Sequence, residues 1–248
     1  MAHCFTCGGH GFLDHECPEC GMKPKKSSIL QIKEKSASII DTAKSVQVPS
    51  CYLGVTWDSD KLKRAHAESL NDLTFMKYCD QLDKIHTIFA SGKIPPRSVI
   101  VVAPPQHSKM IWAYSCMQMA ISAGLTVAPM LDSLEVKRLV VLAAERPKQT
   151  YLGINFEDYV NSDVLFITIT KTAYREEAYA VIEDMLDKRT RRGLPTFFIS
   201  RYNLETLSKR DYSGNFELIR DIHGTENDLK YPTIIQYWKK NAAKINEE

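Results

Sequence analysis

Several features are missing from this sequence. No apolar run approaches the roughly 20 residues that span a bilayer, which excludes a transmembrane helix. The first residues lack a charged n-region followed by an apolar h-region, so no secretory signal is expected. There is no internal repeat and no low-complexity segment. Charge of one sign is missing too: 32 Lys and Arg stand against 30 Asp and Glu, a formal net charge of +2. Composition therefore demands no nucleic-acid partner, and any basic surface has to be local. The 7 cysteines are odd in number, with 4 before residue 21 and Cys51, Cys79 and Cys116 scattered. A secreted disulfide framework does not look like that. A reducing cytoplasm, with the cluster on a metal, is the expectation. Core-forming residues are plentiful: 44% of the 248 residues are hydrophobic, enough for a sizeable core without disulfides.

The cysteine cluster reads Cys4-x-x-Cys7, nine further residues, then Cys17-x-x-Cys20. Each pair is followed directly by glycine, Gly8 and Gly21. Two thiolates must turn onto one ion, and glycine lets the backbone do so. A segment this short cannot fold on apolar burial alone, so a structural Zn²⁺ is expected on Cys4, Cys7, Cys17 and Cys20. His3, His10 or His15 is a minor alternative ligand. A redox pair would not explain two knuckles, and four thiolates leave no open position for catalytic zinc.

Residues 25–58 follow as a basic linker. Ile29, Ile32, Ile39, Ile40, Ala43 and Val46 recur at helical spacing among lysines, and Pro49 ends the pattern. This helix either packs on its own domain or faces a partner or DNA phosphates. Residues 59–248 form the third region. Ser59 or Asp60, and then Asn71 or Asp72, are expected to cap two helices, the second with a stripe of Leu73, Met76, Leu82, Ile85 and Phe89.

The apolar run from Val99 to Ala103 enters a Pro-Pro turn, a polar loop and Lys109, after which a helix is expected from Ile111 to Ala123. Strands are expected at Leu125–Met130, Asp163–Thr170 and Thr196–Ser200, and helices at Leu134–Ala144 and Ala173–Arg191. Short helical segments are expected at Leu204–Lys209, Phe216–Ile222 and Pro232–Ala243. Strands alternating with helices imply an α/β fold, a parallel sheet sandwiched by helices.

Four pieces occur in a fixed order: A-P-P-Q-H-S-K-M from Ala103, D-V-L-F-I-T-I-T from Asp163, a helix closing on D-K-R-T-R-R-G-L-P-T-F-F-I-S from Asp187, and N-L-E-T-L from Asn203. This order resembles the AAA+ core of bacterial and phage replicative-helicase loaders of the DnaC/DnaI type, which is close to the ATPase subunits of some transposition systems. The resemblance covers about residues 70–225. It implies an AAA+-like (P-loop-derived) sheet after a small zinc module at residues 1–24, which fits because loaders of the DnaI type carry a zinc-containing N-terminal domain that binds the helicase.

The departures bear on chemistry. The phosphate-loop pattern is G-x-x-x-x-G-K-[ST], and here its glycine positions hold Ala103 and Ser108. Its hydroxyl position holds Met110, which cannot ligate a hard cation. The family's acidic pair falls on Thr168 and Ile169, and its polar sensor falls near Arg201. Losing these together removes positioning and charge neutralisation at once, so no ATP hydrolysis is expected. Only Lys109 remains as a degenerate cofactor-binding residue, with an exposed lysine at a helix N-terminus as the plainer reading. The resemblance makes Arg220 an arginine-finger candidate toward an active AAA+ paralogue. Lys188, Arg189, Arg191 and Arg192 are candidates for DNA phosphates, although cations are also favoured at any helix C-terminus. The implied function is a helicase loader, phage-encoded and acting in the bacterial host cytoplasm. It would bind a replicative helicase and assist its placement on single-stranded DNA without hydrolysing ATP. The alternatives are a non-catalytic structural subunit, a weak ATPase with an unorthodox site, and an inhibitor that captures a host helicase.

Overall fold

The computed structural model describes residues 48–69, 71–105, 107–132, 155–169, 176–204 and 232–238. All belong to one compact unit, residues 43–248. The zinc cysteines, the basic helix up to residue 47, the segments expected at 134–144 and 216–222, and Arg220 lie outside the described residues.

Two helices come first. Helix α1 (Ser59–Ala65) is capped by Asp58, whose side chain accepts from the Lys61 amide. The expected caps, Ser59 and Asp60, sit inside it. Helix α2 (Leu73–Ala90) is capped by Asp72, one of the two residues expected, which accepts from the amides of Thr74 and Phe75. Its buried residues are Phe75, Tyr78, Cys79, Leu82 and Phe89, of which Leu82 and Phe89 were expected, while Met76 and Ile85 are partly buried against the same core. Leu73 is 85% exposed in the first turn.

The sheet is built from β1 (Val99–Val102), β2 (Leu165–Ile169), β3 (Thr196–Ser200) and β4 (Thr233–Gln236). Its order is β2-β3-β1-β4, and every pairing is parallel. Val101 lies between Ile199 and Ile235. Helix α3 (Lys109–Ser122) follows β1, and helices α4 (Phe156–Asn161) and α5 (Glu176–Arg191) flank β2 in sequence. Alternate strand residues face opposite ways. Val99, Val101, Phe166, Phe197, Ile199 and Ile235 join α2 and α3 in one core. Ile100, Val102, Leu165, Ile167, Ile169 and Phe198 join α4 and α5 in the other. A strand buried on both faces needs a continuous apolar run, which is why V-I-V-V and T-F-F-I-S were readable as strands.

Two expected elements differ. Residues 232–243 do not begin a helix: Thr233–Gln236 is the edge strand β4, in register with Val99–Val102. T-I-I-Q is β-branched and short, and pairing with β1 decides its conformation. Leu125–Met130 is not a continuous strand but two parallel bridges, Val127 to Val164 and Leu131 to Ile167. Pro129 lies between them and has no amide hydrogen to donate.

The boundary at residue 58 also moves. Val48 and Trp57 are buried in the core with α2 and α3. The segment 48–57 is therefore a strap on the α/β domain, not free linker.

Candidate functional site

The parallel strands end together, and the loop from Ala103 to Ser108 leaves the C-terminal end of β1 there. The Ala103 amide donates to the Ser200 carbonyl at 3.3 Å, tying the loop to β3. The His107 amide donates to the Pro104 carbonyl at 3.2 Å, closing a turn. Ser108 then takes φ 53, ψ 18, the left-handed region. Among the described residues it is the one non-glycine with positive φ. It stands where the phosphate-loop pattern has its second glycine, the residue that takes positive φ without a Cβ penalty.

Lys109 opens α3 but does not extend into solvent. It is 4% exposed, and its Nζ donates to the Pro104 carbonyl at 3.0 Å. That carbonyl thus accepts from both the His107 amide and the Lys109 ammonium. Burial pushes the Lys109 pKa down to about 8, and the Arg201 cation adds to the shift. The plainer expectation of an exposed lysine is corrected.

An aromatic wall holds the loop from the side. The His107 ring stacks on His66 with centroids 4.6 Å apart and planes 12° apart. Tyr237, just past β4, lies 4.8 Å from the same ring, and Phe75 lies 6.0 Å away. The Tyr78 hydroxyl donates to the His107 carbonyl at 3.1 Å. Sequence reading missed this wall because its members come from four separate segments; Phe75 and Tyr78, three residues apart in the first two turns of α2, were the one local signal.

The positions that would need to hold metal carry other chemistry. Met110 packs against the core beside α2 and α3. The Thr168 hydroxyl donates to the Leu131 carbonyl at 3.3 Å. Ile169 is buried. The Ser200 hydroxyl donates to the Ile169 carbonyl at 3.3 Å and accepts from the Tyr202 amide at 3.1 Å. Arg201 is exposed, its guanidinium 5.0 Å from the Tyr202 ring. Among the described residues no three His, Cys, Asp or Glu gather into a metal-holding group. This edge offers Lys109, Arg201 and the N-terminus of α3, which attract an anion, while the positions of Met110, Thr168 and Ile169 carry no carboxylate to hold Mg²⁺ or orient water.

The basic cluster lies at the other end of the sheet, since α5 leads into the N-terminal end of β3. Its members separate by environment. Arg189 is fully buried. Its guanidinium donates to the carbonyls of Tyr159 (2.7 Å), Ser162 (2.8 Å) and Pro195 (2.8 Å), and its Nε donates to the Thr196 hydroxyl (3.1 Å). It closes the C-terminal end of α4 and the turn into β3, which corrects its reading as a phosphate contact. Burial lowers its pKa to about 10, with Asp163 opposing. Lys188 pairs with Asp184 at 2.8 Å and Arg191 with Asp187 at 2.7 Å, each one helical turn apart. Arg192 is exposed past the helix end.

The fold is α/β, a parallel four-stranded sheet with a helical core on each face. No protein-family model and no curated protein matches the chain. Solved structures do. The chain is similar to a DnaC helicase loader, at 13% identity and a TM-score of 0.50, over 77% of this chain and 100% of that one. It is similar to a primosome component from Streptococcus pyogenes serotype M3, at 15% identity and a TM-score of 0.51, over 82% and 96%. The structure of DnaI aligns at 14% identity and a TM-score of 0.46, over 73% and 95%.

Proposed function

We propose that this protein is a helicase-loader-like replication factor that binds a replicative helicase and assists its placement on single-stranded DNA without hydrolysing ATP. One observation carries the reading. The fold is that of a structure described as the DnaC helicase loader, yet the first turn of α3 has Met110 and the end of β2 has Thr168 and Ile169 where metal and water would need ligands. Work would then come from binding energy alone. The zinc module and the basic helix are assigned to the helicase, and single-stranded DNA to the half-buried Lys188 and the exposed Arg191 and Arg192.

Co-elution with the cognate helicase tests this. The intact chain is expected to run with the helicase at low salt, and independent elution would refute the reading. A turnover assay runs beside it. ATP hydrolysis that disappears in Lys109→Ala would replace the proposal with that of a weak ATPase.

A further inference from the structure

The N-terminal end of the sheet, away from the Lys109 loop, gathers exposed cations from segments far apart in the chain. Register puts them there. Ser98 immediately precedes β1, Pro195 immediately precedes β3, and Val99 pairs with Phe197. The entry turns are tied together: the Thr196 amide donates to the Ser98 hydroxyl at 3.0 Å, and the Thr233 amide donates to the Ser98 carbonyl at 2.8 Å. Neighbouring strands run about 4.8 Å apart, so Arg97 before β1 and Arg192 in the α5–β3 turn stand at the mouths of adjacent strands. Lys93 lies in the α2–β1 connection, its amide donating to the Ile88 carbonyl at 3.1 Å. Lys93, Arg97 and Arg192 are all exposed.

Their backbones are fixed. Pro95 and Pro96 restrict φ on the way into β1. Gly193 takes φ 71, and the amides of Gly193 and Leu194 donate to the carbonyls of Thr190 and Arg189, both at 3.0 Å. Buried Arg189 clamps the same turn through the Pro195 carbonyl. The acids nearby are already engaged. Asp184 and Asp187 pair with Lys188 and Arg191. Asp163, at the entry to β2, accepts from the amide and the hydroxyl of Thr126, both at 2.8 Å. Among the described residues no carboxylate pairs with Lys93, Arg97 or Arg192. A chain of net charge +2 therefore concentrates its basic surface on one edge.

We propose that this edge binds the phosphodiester backbone of a nucleic acid, with Arg97 and Arg192 as its two main contacts and Lys93 beside them. Cations held on fixed turns suit a ligand whose own charges recur at fixed spacing, as phosphates do along a strand. A guanidinium takes two phosphate oxygens at once, and neither Arg97 nor Arg192 gives up a described ion pair to do so. Lys188 and Arg191 do give one up, so the last turn of α5 contributes less than the two turn arginines. Such a site rests on the reading of the chain as a DNA-handling replication factor, but it requires nothing of the helicase interface.

Fluorescence anisotropy of a labelled single-stranded oligonucleotide, and of its duplex, titrated with the full-length protein over a salt series tests this. Arg97→Ala and Arg192→Ala are each expected to lower the slope of log affinity on log salt, by about 0.7 on the single strand or about 0.9 on the duplex, and the double variant by the sum. The nucleic acid that shows the loss is the ligand. Lys77→Ala removes an exposed cation from the other end of the sheet, next to Tyr78 and the His107 loop, and is expected to leave the slope unchanged. The double variant is expected to co-elute with the helicase as wild type does, so loss of this site and loss of helicase binding are read separately. Slopes unchanged in both arginine variants, or an equal drop in Lys77→Ala, would overturn the site. So would displacement of the oligonucleotide by polyglutamate of equal charge, which would make the edge an acidic-peptide surface. A wild type that binds neither nucleic acid yet runs with the helicase would also overturn it, and would leave the helicase reading standing.

Discussion

The Lys109 ammonium sits 3.0 Å from the Pro104 carbonyl oxygen, five residues back in its own loop. The lysine thus closes the loop on itself and is charged at a cost. A pKa lowered from 10.5 to about 8 corresponds to about 3 kcal/mol against the folded cation at neutral pH.

Lys109→Met is therefore expected to stabilise the protein at pH 7.5, by about 1–3 kcal/mol once the lost bond to Pro104 is counted. The sign with pH is fixed. Between about 8 and 10.5 the unfolded lysine holds its proton and the folded one does not, so the wild type gains stability as pH rises there. The difference between variant and wild type should narrow from pH 7.5 to 9.5 in urea titrations. Comparing the two proteins cancels the buried Tyr78 and Cys79, which shift upward and act in the opposite direction. A Met variant less stable than wild type at pH 7.5 would show that the bond to Pro104 outweighs desolvation.

Ser108 holds a left-handed conformation at φ 53, which costs an L-residue about 1–2 kcal/mol. Ser108→Gly should relieve it and raise stability by about 0.5–1 kcal/mol after glycine's greater unfolded entropy. The same change restores one element of the phosphate-loop pattern. It should still produce no ATP turnover, because Thr168 and Ile169 supply no carboxylate. A calorimetric scan and a phosphate-release assay measure the two halves separately.

The sequence made the sheet legible because its strands are buried on both faces. Val99–Val102 and Thr196–Ser200 are apolar runs at lengths only a strand suits, and both proved to be strands. β4 was hidden because T-I-I-Q after Pro232 fits a helix start equally well, and its partner Val99–Val102 lies far away in the chain. The loop's position was readable from Lys109 and the following helix. Its inward-turned lysine was not, since that follows from the fold of the loop that brings the Pro104 carbonyl within 3.0 Å of its Nζ. Arg189 looked like its neighbours in K-R-T-R-R. Only the turn at Gly193 and the carbonyls of α4 separate it from them.

Arg189→Met should cost about 3–5 kcal/mol, because it leaves the Tyr159, Ser162 and Pro195 carbonyls buried without their donor. Arg189→Lys should recover little, since one ammonium cannot span these acceptors. If the chain binds single-stranded DNA, the salt slope of a folded Arg189→Lys should equal that of wild type. Arg192→Ala should lower it by about 0.7, the single-strand value for one phosphate contact. A reduced slope for Arg189→Lys would return Arg189 to the phosphate-binding set.

Two Cys-x-x-Cys pairs, Cys4/Cys7 and Cys17/Cys20, should bind one zinc ion per chain. The cysteines belong to the unit 1–42, and the described core to the unit 43–248. Chelation should therefore leave the main unfolding transition of the α/β domain in place while releasing the metal to a colorimetric indicator. Cys4→Ser should reproduce the loss without chelator. If co-elution with the helicase fails in both cases while Arg192→Ala still co-elutes, the zinc module is the helicase-binding element. If chelation instead collapses the whole transition, the metal supports the α/β domain, and the division at the strap has to be redrawn.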